Sequence, residues 1–128
     1  MASSAELKLR MLSGSFTIHR LDPLMAVPTA VRECETHFIG QTPEELSIVC
    51  PSHIEVMYAK SEPNWACFRV EGPLDFALYG ILARISGALA AQRISIFAVS
   101  TFDTDYILVK EADLERAQKV LMDQGYAF

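Results

Sequence analysis

Long apolar runs, basic charge, and cysteine or histidine in ligand-like groupings are all scarce in this chain, and each scarcity removes a class of function. The longest apolar stretch, from Phe76 to Ala91, is too short to span a bilayer and is broken by Arg84. The N-terminus has no charged-then-apolar leader pattern, so a cytoplasmic protein is expected. Lysine and arginine total 11 against 16 acidic residues, a net charge of -5. Nucleic acid and anionic membranes both ask for a basic footprint, so neither is expected as a partner. Cys34, Cys50 and Cys67 are an odd number at wide spacings with no Cys-x-x-Cys, which reads as reduced thiols. Cys34 and His37 have the spacing of half a zinc site without a second half. Asp103 and Asp105 have no third carboxylate or histidine at ligand spacing. No metal and no cofactor is expected.

A chain of 128 residues that is 51% hydrophobic has the composition of a soluble globular protein, one ordinary domain or two very small ones. Its most legible region runs from Cys67 to Met122. Cys67-Phe68-Arg69-Val70-Glu71 alternates as a half-covered strand does, and Gly72-Pro73 stops it. From Asp75 the period becomes helical, with Leu78, Ile81, Leu82, Ile85, Ala88 and Leu89 forming one apolar stripe. Gly80 and Gly87 interrupt that helix, and close approach to a sheet would account for them. Ile94 to Val99 reads as a central strand buried on both faces, as does Tyr106-Ile107-Leu108-Val109, with Thr101 to Asp105 as the hairpin between them. A last helix is expected from about Asp113 through Leu121, capped at Gly125, with Tyr126-Ala127-Phe128 as a final edge strand. The order β-α-β-β-α lacks one strand of a split βαβ fold.

The first half reads as a degenerate copy of the second. His37 to Val49 follows Ile96 to Val109 with one gap: an apolar strand, a Thr-led acidic turn and a second apolar strand. Phe16-Thr17-Ile18 parallels Phe68-Arg69-Val70, and Asp22-Pro23-Leu24 parallels Gly72-Pro73-Leu74. Pro28 abbreviates any helix between Leu24 and Glu35. Pro51 through Trp65 looks like the connection between copies, and Leu7 to Leu12 alternates as a short strand.

These residues resemble the ACT domain family, in the paired arrangement of CASTOR-type amino-acid sensors. The resemblance is carried by Val70-Glu71-Gly72-Pro73-Leu74-Asp75-Phe76, by Ile94 through Val109, by Asp113-Leu114-Glu115-Arg116-Ala117 and by Pro43 through Pro51. It implies an α+β fold of two ferredoxin-like βαββαβ units side by side, residues 1–62 (degenerate) and 63–128. It also implies a free amino acid held between Gly72, Pro73, Leu74 and Asp75 on one wall and Phe97, Ala98, Val99 and Ser100 on the other. Asp22 stands where the first copy should have its glycine.

A zwitterion needs amide donors for its carboxylate and an acceptor for its ammonium. A glycine turn opening a helix can supply the donors, although Gly72-Pro73 is also an ordinary turn and Asp75 an ordinary cap. Asp75, Asp103 and Asp105 would bias a site toward cationic amino acids, with Asp75 or Asp105 preferred over Asp103, while hairpin chemistry accounts for the last two equally well. Cys50 with His53 could suggest a thiol nucleophile, but Cys50 ends an apolar strand and no oxyanion site is near it, so a packing role is favoured. His19 and His37 read as structural, and Trp65 as a packing anchor. The expected function is a non-enzymatic amino-acid-binding, regulatory module that forms a homodimer and acts on a regulated protein partner. The alternatives are a structural dimerisation domain without ligand or, from another class, a small Cys/His/Asp enzyme.

Overall fold

The computed structural model describes residues 7–71 and 80–128. The chain divides into two compact units, one of Gly14–Trp65 and one of Met1–Ser13 with Ala66–Phe128. Residues 72–79, which include the expected Gly72, Pro73, Leu74 and Asp75 wall and the start of the long helix, lie outside the described residues.

In the Gly14–Trp65 unit, β2 (Phe16–Leu21) is followed by α1 (Thr29–Glu33), β3 (Phe38–Gln41) and β4 (Leu46–Pro51). β4 lies between β3 and β2, antiparallel to both, with Val49 opposite Phe38 on one side and Ile18 on the other. Alternation along β4 sends Leu46, Ile48 and Cys50 into a core with Leu21, Val31, Ile54 and Val56. Helix α1 has five residues and starts after Pro28, the abbreviation that proline dictates. The first half of β5 (Lys60–Val70) completes this sheet by pairing with β2. Lys60 to Trp65 is therefore strand where the sequence suggested a connection. Pro63 and Asn64 are absorbed in a bulge: Ile18 faces Glu62 and Phe16 faces Trp65, one residue more on β5 than on β2, and Asn64 takes φ 70°.

The other unit contains β1 (Leu9–Met11), the second half of β5, α2 (Ile81–Ala91), β6 (Ile96–Ser100), β7 (Asp105–Lys110), a 3-10 turn (Glu111–Asp113) and α3 (Leu114–Asp123). Its strand order is β1-β5-β7-β6. Ala66, Phe68 and Val70 alternate toward a core closed by Ile81, Ile85 and Leu89 of α2 and by Ala117 and Leu121 of α3.

Four expectations change here. Leu7 to Met11 groups with this unit rather than the first, because β1 pairs antiparallel with β5, Leu9 opposite Val70. Tyr126 to Phe128, expected as a full edge strand, are reduced to a parallel bridge of Ala127 to Lys8, with Leu9 N donating to Ala127 O and Ala127 N to Leu7 O. β6 is an edge strand with Ala98 and Ser100 exposed, not a central one; a β-branched apolar run signals extended backbone without fixing its place in the sheet. Among the described residues, the glycines of the long helix serve no close approach: Gly80 is the N-cap of α2 at φ 83°, and a Cβ at Gly87 would meet no described atom within 4 Å.

Both long helices end in the same bonding pattern. Tyr126 N donates to Leu121 O at 3.1 Å and Gly125 N to Met122 O at 3.0 Å. Ile94 N and Arg93 N do the same to Leu89 O and Ala90 O, at 3.0 and 2.9 Å. The left-handed residue is Gly125 in one case, φ 100°, and Arg93 in the other, φ 58°. Two glycine substitutions should therefore move stability in opposite directions. Gly125→Ala is expected to lose about 1 kcal/mol through its positive φ, and Gly87→Ala to gain about 1 kcal/mol of helix propensity. Urea unfolding of the two variants checks this; a loss at Gly87 would restore the close-approach explanation.

Candidate functional site

The β6–β7 hairpin is closed and anchored by its own threonines. Thr101 N donates to Thr104 O at 2.8 Å, and the Thr101 hydroxyl donates to the same oxygen at 3.0 Å. The Thr104 hydroxyl, buried, donates to Val70 O at 2.6 Å and so ties the hairpin to the end of β5, two residues before Gly72. Glu71 N, the next amide, donates to Lys8 O at 2.8 Å. The chain thus leaves β5 toward the expected ligand loop from a fixed point beside the hairpin.

Register divides the expected wall on β6 between two faces. Ala98 faces Ile107, and Ser100 faces Asp105, on the side that carries the helix-packed core. Phe97 and Val99 lie on the opposite face with Leu108 and Tyr106. Ser100 Oγ donates to Asp105 Oδ1 at 2.5 Å, so this aspartate is half-buried, oriented and in contact with a predicted ligand residue. Asp103 stands exposed at the hairpin tip. Of the aspartates considered, Asp105 is the one built into the fold, and Asp75 lies outside the described residues.

Sequence reasoning missed a charged cluster on the Phe97–Val99 face. Arg69 Nη1 donates to Tyr106 Oη at 3.4 Å, and its guanidinium lies 5.5 Å from the Tyr106 ring centre. Arg69 Nε and Arg10 Nε approach the same Glu71 oxygen, at 3.4 and 3.3 Å. These groups come from β1, the end of β5 and β7, so only sheet register brings them together. Half-exposed pairs of this kind add little stability, but they orient the Glu71 carboxylate just past the end of β5.

The remaining candidates take structural places. Burial pushes the Cys50 thiol up to about 11, with Cys34 adding to the rise, and the Cys67 thiol up to about 12. Both are fully buried, the opposite of an activated nucleophile. Cys50 and His53 belong to one unit and Asp103 and Asp105 to the other, so the enzyme alternative has no gathered site within either. Cys34 Sγ lies 3.6 Å from His37 Nδ1, and among the described residues no group of three potential ligands surrounds a metal position. His19 is buried with Nδ1 2.7 Å from Ser61 Oγ, and burial lowers its pKa. Trp65 is buried at the bulge, in keeping with a packing role. No helix among the described residues is long and apolar enough to cross a membrane.

The ACT domain family model matches residues 60–123, half of the chain. The chain belongs to the ACT domain family. Its α+β fold is the ferredoxin-like ACT fold. A human protein, cytosolic arginine sensor for mTORC1 subunit 1, is 43% identical over 67 residues, which cover 52% of this chain and 20% of that protein. The chain therefore spans about a fifth of the length of that relative. A solved structure from Agrobacterium tumefaciens is 36% identical with a TM-score of 0.88, covering 94% of this chain and 90% of the other. The ligand-free regulatory subunit of aspartate kinase from Thermus thermophilus shares the fold at 12% identity, TM-score 0.62, with 90% and 95% covered.

Two measurements follow from the buried groups. A thiol reagent applied to the native ACT domain should label half-buried Cys34 while Cys50 and Cys67 react at least about a hundredfold more slowly, from their depleted thiolate; prompt labelling of all three would refute the packing assignment. For His19, the unfolded chain takes up a proton at the ordinary 6.5 while the folded one resists it. The stability this contributes is present above pH 6.5 and is lost as the pH falls below it. Thermal melts between pH 7.5 and 5 should show that decline, and His19→Gln should flatten it.

Proposed function

We propose that this ACT domain is a non-enzymatic regulatory module that binds a free amino acid where the loop after β5 meets the β6–β7 hairpin. ACT domains bind amino acids in regulatory roles. Here the walls would be Gly72, Pro73, Leu74 and Asp75 with Phe97, Ala98, Val99 and Ser100, and Asp105 would accept the charged end of a cationic ligand. The observation that carries this reading is the Thr104–Val70 bond, which sets the Ser100–Asp105 pair beside the origin of that loop. The human relative is, by its name, a cytosolic arginine sensor, which supports a cationic ligand and a cytoplasmic setting. We read the chain as two paired ACT-type units, expected at residues 1–62 and 63–128 except that β1 pairs within the second of them, and the protein as a homodimer acting on a regulated partner. The exposed edge of β6 supports self-association, since such edges are usually covered.

Calorimetry and thermal shift with the twenty amino acids test this. A ligand at one hundred times its dissociation constant should stabilise the protein by about 2.7 kcal/mol. Gly72→Val should abolish binding in a folded protein, and Asp105→Asn should weaken a cationic ligand about tenfold by removing a charge-assisted bond. If no amino acid binds at millimolar concentration but sedimentation shows a dimer, the chain is a dimerisation module. A 14 kDa particle alone at micromolar concentration would remove the homodimer.

A further inference from the structure

A cavity of about 220 Å³ lies between α2 and the turn after α3, lined by Ala83, Arg84, Gly87, Ala88, Gln124 and Tyr126. Tyr126 is 4% exposed, yet its buried phenol oxygen has no hydrogen-bond partner among the described residues. A buried hydroxyl is ordinarily satisfied, so this one asks for a missing acceptor. Gly87 lies mid-helix, where glycine weakens the helix, and the described chain gives no packing reason for it. Arg84, like Arg32 and Arg93, forms no ion pair with the described residues, and it is the one of these three that lines the cavity.

The lining therefore offers a guanidinium, a phenol O–H and the Gln124 amide, and no carboxylate. At the nearby end of α3, Leu121 O and Met122 O accept from Tyr126 N and Gly125 N, which caps two of the carbonyls there. We infer that this cavity is a second ligand site, separate from the β6 edge, for a small anion bearing a carboxylate or phosphate group. Acceptor oxygens of the anion bond Tyr126 Oη and the Arg84 guanidinium, and its body lies over the side-chain-free surface of Gly87. The volume is under the roughly 300 Å³ at which ordinary ligand pockets begin, which limits the occupant to a small anion rather than a nucleotide.

The test is amide chemical-shift titration of the full chain with sodium phosphate and, separately, sodium acetate at constant ionic strength. Saturable shifts at residues 83–88 and 124–126 are expected. Saturation by phosphate alone assigns a phosphate site, by acetate alone a carboxylate site, and by both a general anion site. Tyr126→Phe and Arg84→Gln should each weaken binding about tenfold. Gly87→Leu should abolish it by filling the cavity, in a protein that stays folded because leucine is the better helix former and enters open space. No saturable shift with either anion at millimolar concentration, or shifts that persist in Gly87→Leu, would overturn the site. Arginine binding serves as the independent control: its retention in Gly87→Leu supports two separate sites, and its loss together with anion binding overturns the separation.

Discussion

The Thr104 residue is 3% exposed and its hydroxyl donates to Val70 O at 2.6 Å, and the geometry of the candidate site depends on that bond. Val70 is the last residue of β5, fully buried, and its carbonyl lies where the ladder stops. Left unmatched in that position it would cost about 1–3 kcal/mol. Thr104 also closes the hairpin, since its carbonyl accepts from both the amide and the hydroxyl of Thr101. One residue therefore sets the shape of the β6–β7 turn and the point at which that turn is attached to β5. The Ser100–Asp105 pair inherits its position from both.

That attachment gives the two sides of β6 different characters. On β7, Ile107 and Val109 are fully buried in the core while Asp105 at the near end is half-buried, so the helix-facing side passes from apolar to charged within one strand. A carboxylate at such a boundary keeps contact with water and avoids the full cost of burying a charge, yet its oxygen is fixed by Ser100. The opposite side carries the Arg69–Tyr106 contact and the shared Glu71 carboxylate. Polar chemistry is thus concentrated at the ends of β5, β6 and β7, and their middles are given over to packing.

What the sequence disclosed was local. The abbreviation of α1 at Pro28, the span of β7, the hairpin and the cap at Gly125 each depend on a residue and its immediate neighbours, and all are present. What it hid was pairing over distance. Leu9 finds Val70 some sixty positions away, and no periodicity in Leu7 to Leu12 names that partner. The strand Lys60 to Trp65 was masked by Pro63 and Asn64, residues a bulge accommodates and a regular ladder would reject. For the candidate site, the hairpin and Asp105 were legible, but the division of Phe97 and Val99 from Ala98 and Ser100 follows from register alone, as does the Arg10–Arg69–Glu71–Tyr106 cluster.

The Gly14–Trp65 unit shows how a sheet keeps its core after losing helical cover. A five-residue helix buries one side chain, Val31, far less than the stripe of Ile81, Ile85 and Leu89 that α2 supplies to the other unit. The deficit is met by Ile54 and Val56, which come from the connection after β4 and are nearly as buried as strand residues. This substitution preserves packing but not chemistry. The position preceding α1 is Pro28, which brings no amide, and one short turn accumulates little dipole, so the features that would receive a ligand carboxylate are gone. Buried His19, held neutral beside Ser61, adds packing in the same place without a charge. The physical asymmetry between the units lies in their helices: five residues in α1 against eleven in α2, and one buried side chain against three.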